Sequence, residues 1–366
     1  MSEITLLNSF DEGELQMRTR EKATDNIDRV AAKTALIMET NNLRGGSDAG
    51  QALASLKRLV TRLGMQTLAP QCLAQWIITH DGLEQEACTE ITKLAGRPVD
   101  FVAIDPQDSY YDAKNLGFDR VDPLRCDYVA FCDADCTPAA DWLAQLLLPF
   151  AEAAPSAPVA VAGRTSYSAS VLGVALTSID FMYFPGTLRT GATCNFYANN
   201  VAFRREVFDA YRYQALPGVY RAHCQVMGMR LQAAGIGIHF AARAHTEHRL
   251  PDTRRELFKL RWMRGEDSVS LTPYLVRTCL PGALQWLARS GPIGPLCVMA
   301  ARLFYSVRAL NRQDLPPLRG LQRPAAAAVL LAMSSIDTFG AITRALVALA
   351  QPPADRKLEA LSYHRQ

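Results

Sequence analysis

The sequence predicts an α/β fold, in which a sheet of mostly parallel strands carries helices on both faces and a helical C-terminal region follows. Short apolar runs alternate with helically spaced apolar residues over roughly the first 240 residues, which is typical of βα units. Polar residues close each of the early runs, and Ala- and Leu-rich stretches follow residue 270. The chain of 366 residues is long enough for one large domain with an appendage, or for two domains.

The predicted elements follow one another in a regular order. Apolar runs predict strands at 34–38, 76–79, 99–104, 128–132, 159–163 and 236–240, with a turn and a further strand within 190–205. Apolar residues at helical spacing predict helices at 52–63, 84–94, 111–118, 142–150, 226–234 and 254–265. Residues 1–30 are polar, and no strand is predicted in them.

Polar side chains stand at the carboxyl end of each of the first four predicted strands. These residues are Glu39 and Asn41, His80 and Asp81, Asp105 and Asp108, and Asp133 and Asp135. Ligands of open α/β sheets bind at the carboxyl ends of the strands. Four polar strand ends in succession therefore predict a single acidic crevice, which suits cations and sugar hydroxyls.

Two aspartates, Asp133 and Asp135, close the fourth strand, which is apolar from Tyr128 to Cys132. Burying carboxylates without a partner is costly. A hard divalent cation makes such a pair tolerable and favours a bound diphosphate in turn. The pair therefore indicates a metal-dependent enzyme that uses a nucleotide-diphosphate substrate. The alternative is an ordinary solvated turn that carries two acids.

Charge is unevenly distributed along the chain, although the net charge is only +3. From Arg249 to the end there are 17 Lys/Arg and 8 Asp/Glu, whereas the first 248 residues are acidic overall. A basic, apolar tail predicts an anionic partner such as a diphosphate or a lipid head-group surface. Nucleic acid is disfavoured, because the basic residues alternate with aliphatic stretches instead of aromatic residues that stack on bases.

The nine cysteines show no paired C-x-x-C framework, and most lie in apolar runs, which indicates a reducing compartment. Cys132 and Cys136 flank the aspartate pair, so a thiolate metal site is an alternative, although no second ligand pair has zinc-like spacing. The first residues lack a basic start followed by an apolar core, so no secretory signal is predicted.

The C-terminal region contains two long Ala- and Leu-rich stretches, 280–310 and 324–349. The second is long enough to cross a bilayer. However, it contains Asp337 and Arg344, each of which costs about 2.5–3.5 kcal/mol at the centre of a membrane helix. Helices that lie in the membrane interface or pack on the domain are therefore favoured. Spanning helices and a wholly soluble helical cap are the alternatives.

A set of short motifs occurs in order between residues 32 and 268. The motifs are Asp81, Lys114-Asn115-Leu116-Gly117, Asp133-Ala134-Asp135, Asn199-Asn200-Val201-Ala202-Phe203-Arg204-Arg205, Arg230-Leu231 before Ala234-Gly235, His248-Arg249-Leu250-Pro251, and Arg261-Trp262-Met263-Arg264-Gly265. Each is weakly specific alone, but the order and spacing are specific together. Over these residues the chain resembles a family 2 glycosyltransferase with the GT-A fold, a Rossmann-like mixed sheet with helices on both faces.

The resemblance implies a nucleotide-sugar donor, UDP- or GDP-linked, a divalent Mg or Mn cation, and a role for each matching residue. Asp81 would accept a hydrogen bond from the base, while the diphosphate and its metal would lie at Asp135, with His248 completing the metal shell. The other implied donor contacts are Glu39, Thr40, Lys114 and Asn115 around the nucleotide, Asp133 at the ribose and metal, and Arg261 and Arg264 at the leaving diphosphate. Asn199 and Asn200 would lie on the acceptor side.

The chain departs from the family pattern at two places. The family has Glu-Asp about seven residues before its Arg-Leu pair, and that Asp is the base for the acceptor hydroxyl. Here His223-Cys224-Gln225 precedes Arg230-Leu231. Either His223 is the base, which the usual pKa of histidine permits, or a carboxylate from elsewhere replaces it, or transferase activity has been lost. In addition, no Pro-x-x-Asn follows the first strand.

The resemblance and the tail together predict a cytoplasmic inverting glycosyltransferase at the inner face of a membrane. It would transfer a sugar to the hydroxyl of a glycan or lipid-linked glycan. The predicted parts are a polar segment at 1–30, a GT-A domain at 31–268 and a helical region at 269–366. Two alternatives are a nucleotidyltransferase, faintly indicated by Arg44-Gly45-Gly46, and an inactive glycosyltransferase-like binding protein.

Overall fold

The structure is a computed structural model that describes residues 26–40, 49–152, 157–186, 188, 191–216, 219, 221–280, 282–290, 293–311 and 315–350. Most of the polar segment predicted at 1–30 lies outside these residues. Asn41 and the glycine motif Arg44-Gly45-Gly46 lie outside them as well.

Nine strands of the described chain form one mixed sheet. They are β1 (Thr34–Glu39), β2 (Gln75–His80), β3 (Asp100–Ala103), β4 (Tyr128–Asp133), β5 (Cys136–Pro138), β6 (Ala160–Ser166), β7 (Ala192–Thr193), β8 (Asn200–Arg204) and β9 (Ile238–His248). Their order across the sheet is β3-β2-β1-β4-β8-β6-β9-β5, and β7 pairs with β9. Strands β3, β2, β1 and β4 are parallel, while β8 is antiparallel to both β4 and β6.

The helices alternate with the strands in the first part of the chain and then follow one another. They are α1 (Ala49–Gly64), α2 (Gln85–Ala95), α3 (Tyr110–Phe118), α4 (Trp142–Leu147), α5 (Val171–Asp180), α6 (Arg205–Tyr211), α7 (His223–Ala233), α8 (Arg254–Ser270), α9 (Thr272–Cys279), α10 (Ile293–Ala309) and α11 (Gln322–Ala350). Short 3₁₀ helices occupy Pro70–Cys72, Leu148–Ala151 and Gly282–Arg289.

Each face of the sheet is covered by its own hydrophobic core. One core packs Leu36 and Met38 of β1 against α1, α2 and α4, and includes the fully buried Trp76 and Trp142. The other core packs Ile37 of the same strand against α3, α6 and α7. Because successive side chains of a strand point to opposite faces, the uninterrupted apolar run of β1 serves both cores.

The register of the parallel strands brings their carboxyl ends together. Glu39 of β1 lies opposite Thr79 of β2 on one side and opposite Asp133 of β4 on the other. The polar residues that close the first, second and fourth strands therefore meet at one edge of the sheet, as the sequence predicts.

The C-terminal helices pack on the sheet domain and share cores with it. Leu315, Leu318, Ala326 and Leu330 pack with residues of α5. A further cluster joins Val226 of α7 to α9, α10 and α11. The closest contact joins α8 and α11, where a Cβ added at Gly265 would overlap the carbonyl of Asp337.

The predicted fold class is confirmed, since a mixed sheet carries helices on both faces and a helical region follows it. The mixed character of the sheet, in which β8 is antiparallel to β4, agrees with the Rossmann-like mixed sheet that the resemblance implies. Strand β5 and helices α5 and α6 lie in segments for which the sequence predicts no element. Strand β9 runs on to His248 instead of ending at residue 240, so His248 is the last residue of a strand.

Candidate functional site

Four side chains capable of binding a metal converge where β4 ends. The carboxylates of Asp133 and Asp135, the thiol of Cys136 and the imidazole of His248 place one ligand atom each within 4.8 Å of one another. Pairing of β5 with β9 explains the convergence, because Cys136 lies opposite His248 in that antiparallel ladder. The backbone N–H of Arg249 also donates to the carbonyl of Asp135 at 2.9 Å.

Asp133 is held by two side chains of α3. Tyr110 donates its hydroxyl to Oδ2 at 2.7 Å, and the ammonium of Lys114 donates to Oδ1 at 2.6 Å. The Lys114 contact has the length of a charge-assisted hydrogen bond, and both residues are almost fully buried. Burial raises the pKa of the Asp133 carboxyl, and the Lys114 ammonium opposes that rise. The two hydrogen bonds hold the Asp133 side chain in place at the strand end.

Asp135 and His248 face each other across the same site. Nε2 of His248 lies 3.5 Å from Oδ2 of Asp135, and Nδ1 lies 2.9 Å from the carbonyl oxygen of Arg249. A protonated Nδ1 bonded to that carbonyl leaves Nε2 as the metal-binding nitrogen, which is the usual arrangement of a ligating histidine. Both predicted metal ligands, Asp135 and His248, are therefore brought together.

Cys136 adds a thiol to this set. Its Sγ lies 3.9 Å from Oδ1 of Asp135. Burial raises the pKa of the thiol well above its usual value, and the carboxylates of Asp135 and Asp133 add to the rise. Carboxylate, imidazole and sulfur donors together fit a divalent cation, with the hard oxygen ligands suited to Mg²⁺ or Mn²⁺.

A cleft, which we call the large cleft, opens beside the metal-ligand group. Its volume is about 1170 Å³, including space that is open to solvent. Asp133 and His248 line it on the sheet side, and residues of α8, α9 and α10 line it on the opposite side. Aromatic residues form much of its wall, namely Tyr110, Tyr111, Phe181, Phe184, Phe196 and Tyr197. A second cleft of about 580 Å³, a volume that includes space open to solvent, is lined by Asp135, Cys136 and His248. Residues of the metal-ligand group therefore line both clefts.

The predicted nucleotide residues lie along the edge of the sheet, but not all of them are available to a ligand. Glu39 is fully buried at the end of β1, and the hydroxyl of Thr40 donates to the carbonyl of Thr79. Asp81 stands at an exposed turn directly after β2. Of Glu39, Thr40 and Asp81, only Asp81 is exposed, so it is the residue that a nucleotide base can reach from solvent.

Lys114 and Asn115 make protein contacts instead of the predicted contacts with base and ribose. Lys114 pairs with Asp133, as described above. The side-chain amide of Asn115 donates to the carbonyl of Tyr213 at 2.8 Å and accepts from the backbone N–H of the same residue. Asn115 therefore holds the segment after α6, while Lys114 acts on the site through Asp133.

Asn199 and Asn200 differ from each other in position. Asn199 lines the large cleft and accepts a hydrogen bond from the hydroxyl of Thr165 at 3.0 Å. Asn200 is fully buried and bonds to the indole of Trp142 and to the carbonyls of Arg164 and Ala244. These three hydrogen bonds fix Asn200 between β8 and its neighbours. Because the side chain is fully buried, it does not reach an acceptor substrate.

Arg261 does not reach the diphosphate position that the resemblance implies. Its guanidinium is 1% exposed and forms ion pairs with Asp337 of α11 and Asp180 of α5. Arg264 pairs with the same Asp180 and lines the large cleft. Arg261 is therefore a structural residue that joins three helices, whereas Arg264 remains at the edge of the site.

His223 begins α7, but the described residues that line the large cleft do not include it, although Ala222, Cys224 and Gln225 do. Its ring stacks on Tyr111 with centroids 4.1 Å apart. Burial lowers the pKa of His223 to about 4. A buried imidazole of such low basicity is a weak general base, so the structure does not support the catalytic role predicted for it.

The low pKa of His223 predicts that the protein loses stability in mild acid. The unfolded chain binds a proton at His223 below about pH 6.5, whereas the folded chain does so only near pH 4. Stability linked to this residue is therefore complete above pH 6.5 and falls by roughly 3 kcal/mol as the pH drops to 4. Urea unfolding across this range should show a shallower pH dependence for His223→Phe. If the free energy of unfolding depends on pH in the same way in both proteins, His223 is not the group responsible for the loss of stability.

Several cleft residues were not found from the sequence. Tyr110 lies one helical turn before Lys114, so the spacing alone could have placed both on one face of α3. The sequence indicates Cys136 only as part of a thiolate pair with Cys132. Asp267, Arg221 and Arg302 line the large cleft from segments that carry no recognisable motif.

Comparison with known proteins gives structural neighbours only. The chain matches no model of a known protein family and has no significant relative among curated proteins. It is similar to the structure of the mannosyltransferase PcManGT from Pyrobaculum calidifontis in complex with GDP-Man and Mn²⁺, with 13% identity, a TM-score of 0.49, and coverage of 85% of this chain and 86% of that one. It is also similar to GalNAc-T7 with UDP, GalNAc and Mn²⁺, with 14% identity, a TM-score of 0.44, and coverage of 72% and 54%. Function is therefore inferred from the geometry of the site.

Proposed function

We propose that the protein is a GT-A glycosyltransferase of the inverting, family 2 type. It would transfer a sugar from a UDP- or GDP-linked donor to the hydroxyl of a glycan or lipid-linked glycan. The observation that carries the proposal is the convergence of Asp133, Asp135, Cys136 and His248 at the carboxyl end of β4, beside a large cleft. In open α/β sheets a ligand binds at this edge.

The donor would bind along the strand ends. Asp81 would receive the base, and Asp133 is held at the end of β4 by Tyr110 and Lys114. The buried ammonium of Lys114 also offsets one negative charge close to the diphosphate. These contacts orient the donor before reaction, so little reorganisation is needed as the sugar departs.

A divalent cation held by Asp135, His248 and their neighbours would neutralise charge on the leaving nucleoside diphosphate. Of the two predicted cations, Mn²⁺ suits a set that includes imidazole and sulfur better than Mg²⁺ does, since Mg²⁺ prefers oxygen ligands and bound water. The guanidinium of Arg264 lies at the edge of the large cleft, where it is paired with Asp180.

The large cleft would hold the transferred sugar and the acceptor. Its aromatic walls suit the apolar faces of sugar rings, and Asn199 and Gln225 provide polar contacts. The base for the acceptor hydroxyl would be a carboxylate from elsewhere in the chain. Asp267 lines the cleft and accepts the backbone N–H of Arg221 at 3.1 Å, and it is the carboxylate that we propose for this role.

Titration calorimetry with a panel of UDP- and GDP-sugars, with and without Mn²⁺, tests this proposal. We expect one nucleotide class to bind in a Mn²⁺-dependent manner, and release of the free nucleoside diphosphate when acceptors are supplied. Binding without release under any acceptor would favour the inactive binding protein, and Mn²⁺-dependent formation of pyrophosphate would favour the nucleotidyltransferase. Absence of metal-dependent nucleotide binding would refute the transferase.

A further inference from the structure

The two longest C-terminal helices present apolar stripes to solvent. On α10 the exposed residues Ile293, Leu296, Ala300, Phe304 and Val307 follow at intervals of three and four, which places them on one face. On α11 the exposed residues Leu331, Ser335, Phe339, Ile342 and Leu346 do the same. We call these two stripes together the helical face.

The two stripes belong to one continuous surface. A groove of about 650 Å³ runs between α10 and α11, and it is lined by Leu296 and Leu303 from one helix and by Leu331 and Phe339 from the other. Phe339 and Leu346 are 61% and 62% exposed, and Phe304 is 57% exposed. Exposed apolar surface of this continuity marks a binding surface in a folded protein.

Charge around the helical face has one sign. Between residues 271 and 350 the described residues include seven arginines and a single carboxylate, Asp337, which is 2% exposed. Five of the arginines are exposed, namely Arg277, Arg289, Arg308, Arg319 and Arg323. An apolar face whose described charged neighbours are exposed arginines matches the acyl boundary and head groups of an anionic bilayer.

Among the helices that the structure describes, α11 alone is long and apolar enough to cross a membrane, by its length and composition. Its other face, however, is bound to the protein. Asp337 pairs with the buried Arg261, and a Cβ added at Gly340 would overlap the carbonyl of Trp262 in α8. Moving α11 into a spanning position would leave Arg261 without that partner and would carry Asp337 into hydrocarbon.

From these observations we infer that the helical face lies flat on an anionic lipid bilayer, with α10 and α11 in the interface and neither helix crossing it. Helix α10 also contributes Arg302 to the large cleft. The bilayer would therefore lie one helix away from the site, on the side from which a lipid-linked acceptor can reach it. The inference rests on the surface itself and does not depend on transferase activity.

Vesicle flotation of the full chain tests this inference. We expect binding to vesicles that contain phosphatidylglycerol, weak binding to pure phosphatidylcholine, and release by carbonate. The double variant Phe339→Glu, Leu346→Glu should lower the bound fraction about tenfold or more, because two exposed side chains of the face become charged. Met65→Glu, Leu124→Glu is the matched control, since both residues are exposed apolar side chains of the sheet domain.

Three results would overturn the inference. Resistance to carbonate would show a spanning helix. Equal flotation of the double variant and the unchanged protein would place the lipid contact elsewhere. Absence of vesicle binding, together with a dimer in light scattering that the double variant dissociates, would show that a second copy of the chain covers the face. Nucleotide-sugar binding is measured separately and is expected to be unchanged in the double variant.

Discussion

Replacement of Asp135 by Asn is expected to lower metal-dependent sugar transfer by about a thousandfold. The exchange keeps the volume of the side chain and one oxygen, but removes the charge that faces His248 across the metal site. Asp135 is 8% exposed at the end of β4, and no other change in packing is expected. Turnover with saturating donor and Mn²⁺ measures the effect, and calorimetry measures the accompanying loss of metal affinity.

Asp141→Asn is the matched control for this variant. Asp141 lies on the segment that follows β5, and its side chain makes no capping hydrogen bond to the helix α4 that it precedes. We expect unchanged metal affinity and turnover for this control. Full activity of the Asp135→Asn protein would remove Asp135 from the metal site, and equal losses in both variants would show that the effect is one of folding.

Replacement of Asp337 by Asn is expected to destabilise the protein by about 3–5 kcal/mol, because it leaves Arg261 buried without its main partner. Arg261 and Asp337 are 1% and 2% exposed, and together with Asp180 and Arg264 they form a neutral group of four charges. For a chain of this size the loss corresponds to a fall in Tm of roughly 4–7 °C. Thermal and denaturant unfolding both measure it.

Two further variants test whether the loss of stability in Asp337→Asn comes from the buried ion pair with Arg261. Asp209→Asn breaks an exposed ion pair with Arg212 and is expected to change stability by less than about 1 kcal/mol. The double variant Arg261→Met, Asp337→Leu removes both charges and leaves Arg264 paired with Asp180, so it should be more stable than Asp337→Asn. If the double variant is less stable than Asp337→Asn, the unpaired charge of Arg261 is not the cause of the destabilisation.

The same double variant tests the role that the resemblance implies for Arg261. If Arg261 only joins α8 to α5 and α11, the folded double variant should keep the KM for its nucleotide-sugar. A large rise in KM at unchanged folded fraction would return Arg261 to the diphosphate site.

The sheet and its polar edge could be predicted from the sequence because their signals are local. An apolar run such as 128–132 marks a strand by itself, and the acids that follow it mark where the strand ends. Parallel alignment of β1, β2 and β4 then brings those ends together without any further information. The sequence alone therefore places Asp133 and Asp135 at this edge of the sheet.

Residues whose role depends on a distant partner could not be predicted in this way. The position of Cys136 in the site follows from the pairing of β5 with β9, and β9 runs further than its apolar run indicates. Arg261 was assigned to a ligand because its partner Asp337 lies 76 residues later, in a helix that resembled a membrane segment. A motif gives the residue type at a position, but burial and partners decide whether a ligand can reach it.

Mn²⁺ binding followed by electron paramagnetic resonance, with and without nucleoside diphosphate, tests the central claim most directly. We expect about one tightly bound Mn²⁺ per chain, tighter binding of Mn²⁺ when UDP or GDP is present, and loss of both effects in Asp135→Asn, since the two ligands would share one site and their coupling is reciprocal. Mn²⁺ binding that is indifferent to both nucleotides, or that survives unchanged in Asp135→Asn, would contradict a diphosphate-binding metal site at the end of β4.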